Sequence, residues 1–439
     1  MKLSYRFETL GCKVNSYESE AMAQALDLEG FYEAKSGQDP DIVIVNTCTV
    51  TGASDAKSRQ IIRRNIRKYP QAIHCVVGCY AQLAGENLSK IPGVSIVIGT
   101  SHRINIPSLI QEYLTTRQPI IRIEKRQDLK NYEPLQVTSY HDITRAYLKI
   151  QDGCNNWCSY CIIPQSRGPM RSRPSHEVID EAKRLVGAGF QEIVLTGIHT
   201  AGYGLDLENY DFADLLDDLL REVPTLKRLR ISSIEASEIS PKLIDLMQRN
   251  PVIVNHLHIP LQSGSNTVLK RMHRHYTSEE FLSVIHQLRH FIPNISITTD
   301  VIVGFPGESE QEFEETVQLI RQAKFSKLHV FPFSPRNGTL AATMIPVEDD
   351  IKKERVHRLL HLSTDLERSY AQQFEGKILS VLVETFDKIT SECTGHTSNY
   401  LKIRFPGFEQ WKNTFQEIRL LHGDTPICHG IIETKREGK

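Results

Sequence analysis

Short apolar runs alternate with amphipathic stretches along most of this chain. From Tyr5 to about Thr116 the runs RFETLG, DIVIVNT, HCVVG and VSIVIG are separated by helical patterns such as Tyr17 to Leu28 and Asp55 to Tyr69. Strands alternating with helices predict crossover connections and a parallel sheet. Asn15 or Ser16 is placed to cap the first helix, and Ser54 the second. The stretch 117–140 is charged, carries Pro119 and Pro134 and holds no sustained period, so it reads as a linker.

The next stretch repeats one unit six times: AYLKI, EIVLTG, RLRISSI, NHLHIPL, SITTDVIVG and KLHVFPFS, with helical patterns between them. Six strand-helix units predict a partial (β/α)6 barrel, short of the eight of a closed barrel, with its chemistry at the C-terminal strand ends. A long helical pattern from Val347 to about Gln373 closes this unit, which spans 141–372. In 373–439 the runs KILSVLVET, NYLKIRF, EIRLL and ICHGII, broken by turn residues such as Gly395, Asn399 and Gly423, predict a small all-β barrel. The expected fold class is therefore α/β: a parallel α/β unit over 1–116, the partial barrel, and the β tail.

Length and charge narrow the function. A chain of 439 residues is long enough for three cores. With 52 basic and 53 acidic residues it has no global field to attract nucleic acid, so RNA must be met by a local patch and no DNA partner is expected. The start MKLSYRFETLGC lacks the apolar core of a secretory signal, and no apolar run of about 18 residues occurs. The expectation is a soluble, cytoplasmic protein without a membrane partner. Nine cysteines, an odd number, argue against a disulfide framework and for reduced thiolates in metal or redox work.

Two sets of cysteines stand out. Cys154, Cys158 and Cys161 follow the first barrel strand in GCNNWCSYC, a C-x3-C-x2-C spacing. Four-iron clusters normally take four thiolates, so three from one loop leave an iron open, and S-adenosylmethionine can occupy it through its amino and carboxylate groups. A zinc site would want a fourth ligand in a recognisable second pair, and none follows nearby. Cys12, Cys48 and Cys79 each end a predicted parallel strand, the edge where open α/β sheets gather ligands. For any one alone, burial as a small apolar residue is the commoner fate. Three at equivalent positions point to a second cluster with an open iron. Cys75, Cys393 and Cys428 read as structural.

These motifs together resemble the methylthiotransferases of the radical S-adenosylmethionine superfamily over nearly the whole chain: a three-cysteine unit, a C-x3-C-x2-C unit and a C-terminal RNA-binding domain of the TRAM type. FETLGCKVNSYESEAM and QDGCNNWCSYCIIPQSRGPMRSRP look like the bacterial branch that acts on N6-threonylcarbamoyladenosine in tRNA. The isopentenyladenosine branch usually continues its first cysteine with a QMN-type run and the ribosomal-protein aspartate branch with a PKN-type run; here Lys13, Val14 and Asn15 follow. The resemblance implies two [4Fe-4S] clusters, S-adenosylmethionine, the tRNA anticodon arm as substrate, a reducing electron donor and a sulfur source. It also implies cofactor-side roles for Tyr160, Thr196, Gly197, Ser233, Glu235, Gln262, Arg274 (in an M-x-R-x-Y pattern), Ile302 and Gly304. The alternatives are one of the other two branches, or an RNA-binding iron-sulfur sensor without turnover.

For RNA the clearest local signal is Lys57, Arg59, Arg63, Arg64, Arg67 and Lys68, a run of bases without an acid. Arg167, Arg171 and Arg173, just after the cluster loop, are read as holding the anticodon arm. GHTSNYLKIRF resembles a TRAM signature, with His396 where the family commonly has tyrosine.

Overall fold

The structure, a computed structural model, describes residues 2–140 and 144–433; Met1, residues 141–143 at the start of the expected middle unit and residues 434–439 of the expected tail lie outside the described residues. The first unit is a six-stranded parallel sheet in the order β2-β1-β3-β4-β5-β6. Its elements are β1 (Ser4–Thr9), α1 (Lys13–Leu28), β2 (Tyr32–Glu33), β3 (Ile42–Thr47), α2 (Gly52–Lys68), β4 (Ile73–Gly78), α3 (Cys79–Ser89), β5 (Val94–Ile98), α4 (Ile106–Thr116) and β6 (Ile120–Arg122). Every residue of β3, β4 and β5 is buried, as the apolar runs require of strands covered on both faces. Met22, Leu26, Ile106 and Ile110 from α1 and α4 cover one face, and Ile61, Ile62, Ala81 and Leu88 from α2 and α3 cover the other.

Two local expectations change. Cys12 occupies the N-cap position of α1, because Asn15 turns inward and donates to the carbonyls of Leu10 at 2.9 Å and Thr47 at 3.0 Å. Thr51 rather than Ser54 caps α2, its hydroxyl accepting the Ser54 N–H at 3.1 Å. The expected linker is held down rather than free. Ile120–Arg122 extends the sheet beyond β5, and Leu135 and Val137 pack with Tyr17 and Ala21, the Tyr17 hydroxyl donating to the Leu135 carbonyl at 2.8 Å.

The middle unit follows with β7 (Arg145–Lys149), β8 (Gln151–Asp152), α5 (Ile163–Arg167), β9 (Arg171–Ser172), α6 (Ser175–Gly187), β10 (Glu192–Thr196), α7 (Phe212–Glu222), β11 (Arg228–Ile231), α8 (Pro241–Arg249), β12 (His256–His258), α9 (Asn266–Arg271), α10 (Ser278–Phe291), β13 (Ser296–Val303), α11 (Glu310–Ala323), β14 (Lys327–Pro332) and α12 (Asp349–Gln372). The six expected strands are present as two parallel halves, β11-β10-β7 and β12-β13-β14. Single bridges, Leu229 to Ile253 and Ser233 to His258, join them into an open partial barrel. Ala146, Leu148, Ile193, Leu195 and Leu229 face the outer helices, so the alternate residues Arg145, Lys149, Glu192, Thr196 and Arg230 face the barrel interior.

The tail closes as a five-stranded barrel of β15 (Ile378–Asp387), β16 (Glu392–Thr397), β17 (Lys402–Pro406), β18 (Phe415–His422) and β19 (Cys428–Ile432). It seats on the N-terminal ends of the middle strands. Arg228 donates to the carbonyls of His396 at 3.0 Å and Ser380 at 3.1 Å, and Tyr400 stacks between His256 (4.6 Å) and His396 (5.0 Å). The C-terminal strand ends are left for chemistry.

Candidate functional site

Cys154, Cys158 and Cys161 occupy an irregular loop that leaves β8 at the C-terminal end of the partial barrel. Gly153 makes the loop feasible: its φ is +74°, and a Cβ there would lie 1.9 Å from the Pro169 carbonyl oxygen. Burial raises the Cys158 thiol pKa, and burial together with the neighbouring thiolates pushes that of Cys161 up to about 12. A metal or a cation must therefore favour the ionised form. Cations are at hand. Arg274 donates from Nη1 to Cys158 Sγ at 3.4 Å and pairs with Glu235. His199 pairs with Glu238 and lies beside Cys154; against the lowering effect of burial, these neighbours raise its pKa to about 10.

The second triad gathers at the carboxyl edge of the first sheet. Cys12 opens α1, Cys48 follows β3 and Cys79 begins α3. Cys79 feels the charges of both Cys12 and Cys48, and burial pushes its thiol up to about 12 while Arg167 opposes that rise. Arg167 Nε donates to Cys79 Sγ at 3.0 Å. The next residue, Gly168, accepts the Cys154 backbone N–H on its carbonyl at 3.2 Å. One dipeptide therefore touches both triads. A second clasp lies near Cys48, where Arg336 bonds Thr49 and Asp55, each at 2.7 Å.

All nine cysteines are free thiols. Among the described residues no three His, Cys, Asp or Glu side chains converge tightly enough for one metal ion. Neither triad is therefore drawn together as the ligands of one zinc ion would be.

The residues expected on the cofactor side take the following places. Tyr160 and Ile302 pack in one apolar group, with Tyr160 edge-on to Phe305 at 6.4 Å. Thr196 and Gly197 end β10 beside Gln151, whose amide donates to the Gly153 carbonyl at 2.7 Å. Ser233 bridges to His258, and Gln262 lies beside β13 with its Oε1 buried and unpartnered among the described residues. Gly304 ends β13 with φ +66° and packs on Lys352, its N–H held by Glu308. Sequence reasoning missed Gln151 and His199; the only signal was their place, one beside the cluster loop and the other just after the strand-end glycine.

The arginines after the loop are not available to RNA. Arg167 and Arg173 are fully buried and Arg171 nearly so. Arg173 pairs with Glu181 at 2.7 Å, and Arg167 with Glu18 at 2.5 Å. Their burial was invisible in sequence, and these residues join the units instead. On α2 the basic run divides: Arg64 pairs with Glu8 at 2.8 Å and Arg59 bonds the Tyr80 hydroxyl, whereas Arg63 and Arg67 border an open groove of about 710 Å³ without an ion-pair partner among the described residues. In the tail, His396 accepts a place in the docking stack and bonds Glu384 at 2.9 Å.

The Radical SAM superfamily profile matches residues 148–320 and that of Uncharacterized protein family UPF0004 matches residues 4–99. Among solved structures, the radical S-adenosylmethionine methyltransferase TsrM from Kitasatospora setae, with cobalamin and a [4Fe-4S] cluster bound, superposes with a TM-score of 0.58 at 16% identity, over 78% of this chain and 77% of that one. That likeness is one of fold. Fold, profile and cysteine loop together define a radical S-adenosylmethionine enzyme. The chain is 49% identical to the threonylcarbamoyladenosine tRNA methylthiotransferase MtaB of Bacillus subtilis (strain 168), over 97% of this chain and 95% of that protein. It is 35% identical to the protein of the same name from Aquifex aeolicus, covering 92% and 97%. A tRNA-2-methylthio-N(6)-dimethylallyladenosine synthase of Caldicellulosiruptor saccharolyticus stands at 32%, covering 98% and 92%. The chain belongs to the radical S-adenosylmethionine tRNA methylthiotransferases. Among the described residues no helix is long and apolar enough to cross a membrane.

Proposed function

We propose that this enzyme transfers a methylthio group to C2 of N6-threonylcarbamoyladenosine at position 37 of tRNA, using two four-iron clusters and S-adenosylmethionine. The observation that carries the reading is the seam at Arg167 and Gly168, where adjacent residues hold the Cys79 thiol of the first unit and the Cys154 backbone N–H of the second. The choice of nucleoside is supported by the 49% identity to a relative named for threonylcarbamoyladenosine, against 32% for one named for dimethylallyladenosine. In this reading, residues 1–116 hold a cluster on Cys12, Cys48 and Cys79, and residues 141–372 hold one on Cys154, Cys158 and Cys161. Residues 117–140 lash the two units together, and 373–439 engage the anticodon arm.

When bound, the barrel cluster with S-adenosylmethionine supplies the 5′-deoxyadenosyl radical that an aromatic C2–H bond demands, and the N-terminal cluster supplies the sulfur. The chain's own residues bind and orient. Arg274 and His199 counter the charge on Cys158 and Cys154, and Glu235 fixes Arg274. Tyr160 and Ile302 offer an apolar wall, and Gln262 Oε1 offers an acceptor to the cofactor. Thr196, Gly197, Ser233 and Gly304 shape the strand ends around it. Burial of the seam keeps water from the reacting atoms. A low-potential electron donor and a sulfur source must come from outside the chain.

Nucleoside mass spectrometry of tRNA from a deletion strain, with and without the gene restored, tests the reading. The expected result is loss of the 2-methylthio derivative with accumulation of N6-threonylcarbamoyladenosine. Loss of the methylthio isopentenyl nucleoside, or of the ribosomal-protein modification, would overturn it.

A further inference from the structure

The seam between the first two units contains more positive charge than its carboxylates balance. Arg103, Lys149, Arg167 and Arg171 pack against Glu18, Asp152 and Glu133, four cations against three carboxylates, all at or below 11% side-chain exposure. Arg173 is neutralised separately by Glu181. The surplus faces a thiol. Arg167 is held by both Nη atoms, Nη1 on Glu18 and Nη2 on Glu18 at 3.1 Å and Asn15 at 3.0 Å. Its guanidinium cannot turn, and Nε is left pointing at Cys79 Sγ.

We infer that Arg167 is a positioning residue for the sulfur-donating centre, a cation carried by the radical unit that completes the thiolate set of the N-terminal unit. The inference rests on the proposed assignment of Cys12, Cys48 and Cys79 to a cluster, and deepens it. An N–H donated to a ligand sulfur orients the ligand and raises the potential of the cluster it holds. The same segment, through the Gly168 carbonyl, holds the start of the radical loop. Arg167 thereby sets the register of sulfur donor against radical source, a geometry to which transfer rates are steeply sensitive. A merely structural salt bridge would make Arg167 equivalent to Arg103, which shares Glu18 but among the described residues bonds no thiol.

The test compares Arg167→Lys with Arg103→Lys in the full, anaerobically reconstituted chain, by redox titration of each cluster's electron paramagnetic resonance signal. In Arg167→Lys the N-terminal potential should move negative, uncoupled cleavage of S-adenosylmethionine should persist, and methylthio product should fall roughly tenfold. In Arg103→Lys neither potential should move. An unmoved N-terminal potential in Arg167→Lys, or an equal shift in Arg103→Lys, overturns the inference. Should Arg167→Lys fail to fold, ¹⁵N-arginine labelling of a chain whose Cys154, Cys158 and Cys161 are alanine decides the matter. Hyperfine coupling of the reduced N-terminal cluster to a guanidinium nitrogen supports the role, and its absence overturns it. A fully reconstituted native chain that holds only one cluster would instead overturn the cluster assignment itself, and the inference with it.

Discussion

Glu18 is the acid on which the seam depends most, so Glu18→Gln is the sharpest perturbation of it. Its carboxylate is fully buried and meets Arg103 at 2.5 Å, Arg167 at 2.5 Å and Lys149 at 2.8 Å. Burial alone would raise its pKa, but these three cations bring it from 4.5 down to about 2. At 1.36 kcal/mol per unit, that depression corresponds to about 3 kcal/mol of folded-state stability at neutral pH. Removing one partner of a buried ion pair costs about 3–5 kcal/mol by an independent route, because the remaining charges are left uncompensated. The two routes agree. Since the folded pKa is depressed, this contribution is complete above about 4.5 and is lost as pH falls from there towards 2. The assay is urea unfolding of the cluster-free, reduced chain, native and variant, at a series of pH values. Glu18→Gln should lose about 3 kcal/mol at pH 7 and flatten the acid slope. A loss under about 1 kcal/mol, or an acid slope identical to that of the native chain, would refute the reasoning.

Three further outcomes follow from other parts of the molecule. Neutralising Arg63 and Arg67 to Gln should weaken tRNA binding and lower the slope of log K against log salt by about 2, leaving substrate-free cleavage of S-adenosylmethionine unchanged; filter binding over a salt series reads this. Gly153→Ala forces a Cβ to within 1.9 Å of the Pro169 carbonyl oxygen. It should therefore cost the chain the barrel cluster, about four irons by colorimetric assay, while the N-terminal cluster stays. Tyr400→Ala removes the ring stacked between His256 and His396 and should loosen the tail by about 2 kcal/mol, read as faster proteolysis between α12 and β15.

Where periodicity was long, the fold was legible. The buried strands β3 and β4 and the six strands of the middle unit appear where the apolar runs stand. Three-residue elements such as Ile120–Arg122 carry no period and were read as linker, although they complete a sheet. Both cysteine sets stand out in the sequence because thiols at fixed spacing or at equivalent strand ends are chemically distinctive, and Cys12, Cys48 and Cys79 do fall just beyond the ends of β1, β3 and β4. Pairing was not legible. Arg167, Arg171 and Arg173 look like a basic RNA-binding run, and only the structure brings Glu18, distant in sequence, against Arg167 and Glu181, on the following helix, against Arg173. Glu18 itself looks like a surface acid of an amphipathic helix, and nothing in the local pattern of α1 marks it as wholly buried. The same blindness to partners hid the division of the α2 bases into Arg64, paired with Glu8, and Arg63 and Arg67, which border the open groove.

The central claim is that radical generation and sulfur donation are carried by separate thiol triads in separate units. A variant with Cys12→Ala, Cys48→Ala and Cys79→Ser removes the N-terminal triad yet leaves Arg167 an acceptor at residue 79, so the seam is preserved. It is incubated, reconstituted and reduced, with S-adenosylmethionine and threonylcarbamoylated tRNA, and 5′-deoxyadenosine and nucleosides are quantified together. The account predicts continued release of 5′-deoxyadenosine with no methylthio product, because hydrogen removal needs only the barrel cluster and a docked substrate, whereas C–S bond formation needs a sulfur held beside C2. Methylthio product at the native yield, or loss of both signals in a folded variant, would contradict it.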